Sequence, residues 1–169
     1  LRDTCRSHDR CSVVEVMGRH AGYLTLETGI AVGATAILVP EVGGTADDVI
    51  AKIRHAEKTN GRKHYIIMVA EGIGGVEEMA KKIQEETGVE SRAMVLGHIQ
   101  RGGIPTGRDR VNATKMGYLA VELLLTGKTN RIVCTREGHF IDIDIDEGLS
   151  TKKSMQKMEV DVLTAMTGI

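Results

Sequence analysis

Four short apolar runs fix most of what this chain can become. Residues 12–17, 36–39, 65–70 and 93–96 are each only a few residues long and rich in Val, Ile, Met and Ala. Stretches of helical periodicity separate them. Apolar runs of this length are the kind buried on both faces of a sheet. Strands that alternate with helices pair in parallel, because the chain has to cross back over the sheet between one strand and the next. The expected fold class is therefore α/β: a three-layer, mostly parallel sheet with helices on both faces.

The punctuation agrees with that pattern. Gly18 closes the first run and Pro40 the second. Thr45 with Asp48 three residues later marks a helix start, with Asp where a capping box usually has Glu. That helix is expected to stop near Gly61, another is expected over about 20–32, and an amphipathic one over about 75–87. After Pro105 the character changes. A long helix is expected over about 107–126, then strands over 131–135 and 140–145 around the Glu137-Gly138 turn. Ile141, Ile143 and Ile145 alternate there with Asp142, Asp144 and Asp146, the pattern of a half-buried strand. From Thr151 the tail reads as helical.

Composition excludes some function classes. Lys plus Arg is 22 against 23 for Asp plus Glu, a net charge of −1, which gives no bulk attraction for nucleic acid or an anionic membrane. Aromatic residues are 2 % of the chain, too few for a base-stacking platform. Cys5, Cys11 and Cys134 form no C-x-x-C pair, which argues for a reducing compartment and against a disulfide framework or structural zinc. No apolar run nears the ~18–20 residues that span a bilayer. A cytoplasmic protein is expected. Because the chain opens on Leu1 within what reads as a charged helix end, it is also expected to be part of a longer protein.

Ligands of parallel α/β sheets bind beyond the carboxyl ends of the strands, so the residues after each strand carry the functional signal. After the first come Met17, Gly18 and Arg19, after the third Glu71 and Gly72, and after the fourth Gly97 to Gly103 with His98 and Arg101. Arginine forks match phosphate oxygens, and glycine lets backbone N–H groups approach an anion. A carboxylate such as Glu71 accepts hydrogen bonds from sugar hydroxyls. The edge thus suggests a phosphorylated polyol. Each residue also has a plainer explanation: Arg19 as a surface residue, Glu71 as a helix cap, His98 as a hydrogen-bonded structural histidine. Their gathering at three strand ends favours the site.

Three ordered motifs carry a resemblance. Arg92 is followed after four residues by Gly97-His98-Ile99-Gln100-Arg101-Gly102-Gly103, and after five more by Asp109-Arg110. Upstream lie Ser12-Val13-Val14-Glu15-Val16-Met17-Gly18-Arg19, and before them Arg2-Asp3-Thr4 with Ser7-His8 and Arg10. The chain resembles the C-terminal, fructose 6-phosphate-binding part of the bacterial-type 6-phosphofructokinases, over most of residues 1–110 and more weakly beyond.

The resemblance implies a transferase of glycolysis that moves the ATP γ-phosphate to the 1-hydroxyl of fructose 6-phosphate, with Mg2+ accompanying ATP. It implies that Met17, Gly18, Arg19, Glu71, His98 and Arg101 contact the sugar phosphate, with Arg19 also offsetting charge on the transferring phosphoryl group. Arg10 and Arg92 resemble arginines that a neighbouring subunit extends to the 6-phosphate, in a homotetramer whose substrate site is shared. Arg2, Gly33, Thr35, Asn60, Arg62, Lys63 and His64 fall at positions of the family's allosteric site. Thr35 stands where the family has a carboxylate and Asn60 where it has a lysine, so weak or absent activation by a nucleotide diphosphate is expected. Arg62 to His64 also fit a solvated charged turn.

The family's catalytic aspartate motif, T-I-D-N-D, and its G-G-D-G donor segment do not occur in the sequence. No metal ligands are expected here, and the chain alone is expected to be inactive. The resemblance further implies a sugar-phosphate domain over 1–103, a helix and hairpin over 104–150 that pack on a donor domain, and a tail over 151–169 that returns to the first domain. Two alternatives stay open: a pyrophosphate-dependent phosphofructokinase, and a non-catalytic sugar-phosphate-binding module.

Overall fold

A computed structural model describes residues 1–151 and 154–167; the tail expected over 151–169 therefore lies partly outside the described residues. The chain divides into two compact units, Leu1–Arg101 with Met155–Ile169, and Gly102–Ser154.

The first unit runs α1 (Arg2–Ser7), β1 (Cys11–Val16), α2 (Tyr23–Ala31), β2 (Ala36–Leu38), α3 (Ala46–Asn60), β3 (Tyr65–Ala70), α4 (Val76–Thr87), β4 (Ser91–Val95) and a 3-10 turn (Gly97–Arg101). A last helix, Lys157–Thr167, also belongs to it and is α7 in chain order. The strands form one parallel sheet in the order β2-β3-β1-β4. Alternate side chains of the central strands feed two cores. Cys11, Val13, Tyr65, Ile67 and Val69 meet Val49, Ile50 and Ile53 of α3 and Met79, Ala80 and Ile83 of α4. Val14, Val16, Ile66 and Met68 meet Cys5 of α1, Leu26 of α2 and Leu163 of α7 on the opposite face. This is the three-layer α/β arrangement that the uninterrupted apolar strands call for.

Local signals place the helices as expected. Thr45 Oγ1 accepts the Asp48 N–H at 3.3 Å, and the Asp48 carboxylate accepts the Thr45 N–H at 2.8 Å, a complete capping box at the start of α3. The Thr45 hydroxyl, donating to Asp48, holds that carboxyl below its usual range.

Several ends shift by one to three residues, such as β1 at Cys11–Val16 for 12–17, α2 at Tyr23–Ala31 for about 20–32 and β2 at Ala36–Leu38 for 36–39, and three further boundaries differ from the sequence expectation in ways that bear on the fold. β4 covers Ser91–Val95 rather than 93–96, and Met94 and Val95 remain exposed. Among the described residues it pairs with β1 alone, so an apolar run here is an edge and not a strand buried on both faces. The strand expected over 140–145 is His139–Asp144 (β6). The Asp144 carboxylate accepts the Asp146 N–H at 2.9 Å and starts a helix at Ile145 (α6, Ile145–Ser150), since a local cap competes with the ladder. The final helix starts at Lys157, later than the tail from Thr151 suggested.

In the second unit, α5 (Gly107–Leu125) and α6 pack on the antiparallel hairpin of β5 (Arg131–Arg136) and β6. Of Leu119, Val121, Leu123, Leu124, Leu125, Ile141, Ile143 and Ile145, only Leu123 is buried, and Leu125 is 77 % exposed. No helix among the described residues is long and apolar enough to cross a membrane.

Ile67 lies at the centre of the sheet with no exposed surface. Ile67→Ala should lower the unfolding free energy by about 2–5 kcal/mol in a denaturant titration. A loss below about 1 kcal/mol would contradict a core closed by α3 and α4.

Candidate functional site

The chain leaves β1 for α2 on one face of the sheet and leaves the adjacent β3 for α4 on the other. Neighbouring strands whose chains depart to opposite faces open a crevice beyond their carboxyl ends. Here the crevice lies between the turn after β1 and the turn after β3, with the Gly97–Arg101 turn alongside.

Two glycines let these turns meet. Gly18 has φ +146°, and a side chain there would run into the Ala21 carbonyl oxygen; one on Gly72 would run into the Arg19 carbonyl oxygen and the Pro40 ring. With the backbones this close, the Gly18 N–H donates to Glu71 Oε2 at 3.2 Å and the Met17 N–H donates to Gln100 Oε1 at 3.2 Å. Gln100 Nε2 in turn donates to the Gly97 carbonyl at 3.2 Å. The turn after β1 is thereby tied to both of its neighbours.

Met17 and Gly18 are half-buried, while Arg19, Glu71, His98 and Arg101 are exposed around the crevice. Among the described residues no side chain holds those of Arg19, His98 or Arg101 in a hydrogen bond or ion pair, so two guanidinium groups and an imidazole stay available to a ligand. Behind them Glu15 is half-buried, and burial, then the Glu71 and Glu77 carboxylates, push its carboxyl above the usual range. Free guanidinium forks beside one carboxylate and glycine turns suit a small anion that also carries hydroxyl groups.

Arg10 and Arg92 do not join this cluster. They lie at the amino ends of β1 and β4, where both bind Glu90: Arg10 Nε to Oε2 at 2.8 Å and Arg92 Nη2 to Oε1 at 2.8 Å. The hydrogen bond from Arg10, then that from Arg92, holds the Glu90 carboxyl below its usual range.

The remaining candidates also lie at the amino-end edge. Arg2 Nη2 donates to the Gly33 carbonyl at 3.3 Å, and Arg62 Nε donates to the His64 carbonyl at 3.0 Å. Asn60 Oδ1 accepts the Arg62 N–H at 3.3 Å, and Lys63 is exposed. Burial, then the guanidinium groups of Arg62, Arg6 and Arg2, hold His64 below the ordinary imidazole range. One cavity of about 550 Å³ is lined by Asn60, Arg62, Lys63 and His64; another of about 700 Å³ is lined by Gly33, Thr35 and Arg62.

Residue spacing did not single out Gln100 or Glu90. Gln100 stands inside the motif around His98, the one signal that could have drawn attention to it. Among the described residues no group of three or more His, Cys, Asp or Glu side chains could hold a metal ion. No step below runs through a magnesium ion.

Comparison with known proteins adds the following. A family model described as phosphofructokinase matches residues 1–124. An ATP-dependent 6-phosphofructokinase from Clostridium botulinum (strain Loch Maree / Type A3) is 48 % identical over 167 residues, 99 % of this chain and 52 % of that protein. An ATP-dependent 6-phosphofructokinase 1 from Clostridium perfringens is 50 % identical over 166 residues, 98 % of this chain and 52 % of that protein. The chain thus spans about half the length of the curated relatives it matches. Phosphofructokinase from Saccharomyces cerevisiae superposes with a TM-score of 0.78 at 32 % identity, covering 97 % of this chain and 23 % of that one. A pyrophosphate-dependent phosphofructokinase from Marinobacter aquaeolei gives 0.74 at 20 % identity, covering 98 % and 50 %, a likeness of fold.

The raised carboxyl of Glu15 gives a signed expectation. A folded-state pKa above the unfolded value favours the protonated form, so stability falls as pH rises through that range. Glu15→Gln should unfold at higher urea than wild type at pH 7.5, and the gap should shrink as pH approaches the ordinary carboxylate range. Equal midpoints at pH 7.5 would mean that Glu15 is not strained by its neighbours.

Proposed function

Because this chain belongs to the phosphofructokinase family, we propose that it supplies the acceptor side of an ATP-dependent 6-phosphofructokinase, which phosphorylates the 1-hydroxyl of fructose 6-phosphate in the cytoplasm. The observation that supports this most is the crevice itself: the unengaged guanidinium groups of Arg19 and Arg101 and the unengaged imidazole of His98 around a turn pinned to Glu71.

In this reading the 6-phosphate takes its hydrogen bonds from His98 and Arg101, with forked geometry at the guanidinium. Glu71 accepts from sugar hydroxyls through the oxygen that Gly18 leaves unused, and Met17 and Gly18 form the wall against which the ring lies. The reaction asks mainly for positioning and charge stabilisation. Arg19 stands at the crevice rim, where its guanidinium offsets negative charge on the phosphoryl group in transfer. The general base and the ATP site lie outside this chain, since its sequence carries neither motif of the resemblance that would supply them.

Arg10 and Arg92 fit the reading as groups that one copy offers to the 6-phosphate of another, in a homotetramer. Their place at the far edge of the sheet, away from the crevice of their own chain, supports it. The exposed apolar side chains of Val121, Leu124 and Leu125 fit a second unit that packs against the donor domain. The residues around Gly33, Thr35 and Arg62 are proposed as a regulatory site.

Calorimetric titration of fructose 6-phosphate tests the acceptor assignment. Arg101→Ala should weaken binding by about 1.5–3 kcal/mol, the loss of a charge-assisted bond to phosphate. Mixing Arg101→Ala chains with chains carrying Arg10→Ala and Arg92→Ala should restore a fraction of intact sites if copies share them. Unchanged affinity in Arg101→Ala would reject the crevice as the sugar-phosphate site.

A further inference from the structure

The loop from Met17 to Gly22 carries Met17, Gly18 and Arg19 of the crevice, and hydrogen bonds hold it only at its ends. At its start, the Met17 N–H is on Gln100 and the Gly18 N–H on Glu71. At its far end, the buried Gly22 N–H donates to both oxygens of Glu41, at 2.9 Å to Oε1 and 3.1 Å to Oε2. Between these anchors, Arg19, His20 and Ala21 make no hydrogen bond among the described residues. The guanidinium group of Arg19 therefore stands where the two ends of the loop put it.

The far anchor comes from outside the loop for a steric reason. Gly22 is the N-cap of α2, a position where Ser, Thr, Asp or Asn usually supplies an acceptor. A side chain there would run into Val39 and the Glu41 carboxylate, so the cap residue has to be glycine. The first turn of α2 holds no acidic residue either. Glu41, in the turn after β2, supplies the missing acceptor, and its negative charge faces the positive end of the helix. No ion pair among the described residues draws this carboxylate away. A side chain on Gly72 would meet both the Arg19 carbonyl oxygen and the Pro40 ring, so the turn that carries Glu41 also comes close to the Arg19 peptide.

We propose that Glu41 is a positioning residue of the crevice, which fixes Arg19 by holding the Gly22 end of its loop. Glu41 touches no ligand itself. Without it, hydrogen bonds tether the segment 19–22 only at Gly18, whose φ of +146° belongs to a residue with wide backbone freedom. A guanidinium on a long stem then gains positions in which it misses a phosphoryl group. The proposal rests on the reading of the crevice given above, in which Arg19 serves the phosphoryl group at the 1-position while His98 and Arg101 serve the 6-phosphate. Loss of Glu41 should therefore fall on the 1-position and largely spare the 6-position.

Calorimetric titration with fructose 6-phosphate and with fructose 1,6-bisphosphate, the product of transfer to the 1-hydroxyl, tests this. The quantity read is the ratio of bisphosphate to monophosphate affinity. Arg101→Ala should weaken both ligands, and Arg19→Ala should lower the ratio about tenfold, the worth of a charge-assisted bond. Glu41→Ala should lower the ratio about threefold or more, as coupled neighbours do. Glu41→Gln keeps one acceptor oxygen, should fall between Glu41→Ala and wild type, and decides the matter if Glu41→Ala does not fold. In an Arg19→Ala background, Glu41→Ala should change the ratio no further. A residue that merely held the fold together would weaken both ligands alike. An unchanged ratio in the Glu41 variants beside a lowered one in Arg19→Ala overturns the positioning role and leaves the crevice reading intact, as does a further fall in the double variant. Wild-type affinity for both ligands in Arg101→Ala overturns the reading and the proposal with it.

Discussion

The parallel pairing of β1 with β3 is the constraint on which the rest depends. The two strands run in step from Cys11 opposite Tyr65 to Val16 opposite Ala70, so they finish level with one another. Level ends put the turns at Met17 and Glu71 side by side, and the departures to opposite faces keep the space between them open. A slip of one residue would exchange the Ile67 side of β3 with the Met68 side and misalign both cores at once. Burying two sets of apolar side chains is thus the same event that sets the width of the crevice.

Much of the fold was legible because it is written in local chemistry. The uninterrupted run at Ile67 announces burial on both faces, and Thr45 with Asp48 announces the start of α3. The misreadings came where a local pattern has two outcomes. Ala93 to Leu96 is as apolar as a central strand, yet only strand order decides that β4 is an edge, and strand order is not a property of any one segment. Ile145 continues the alternation of Ile141 and Ile143, yet the Asp144 carboxylate caps a helix and takes Ile145 into it.

The site divides along the same line. Arg19, Glu71, His98 and Arg101 were visible as candidates because each directly follows a strand, and the position after a parallel strand has a functional meaning of its own. The long-range pairings these and other candidates make were not. Met17 and Gln100 are 83 residues apart, and Arg10 and Glu90 are 80 apart. Nothing at either end of such a pair signals the other.

The hydrogen bond from Gly18 to Glu71 makes this carboxylate a limited resource. One oxygen keeps the turn after β1 in place, and the other has no partner among the described residues. A ligand content with that oxygen leaves the turn anchored, whereas one that demands both must release the Gly18 N–H, and with it the register of Arg19 above the crevice. On the proposed reading, ligands of the crevice would be sorted by how many hydrogen bonds they ask of a single side chain, a form of selectivity that neither the shape nor the charge of the crevice would supply.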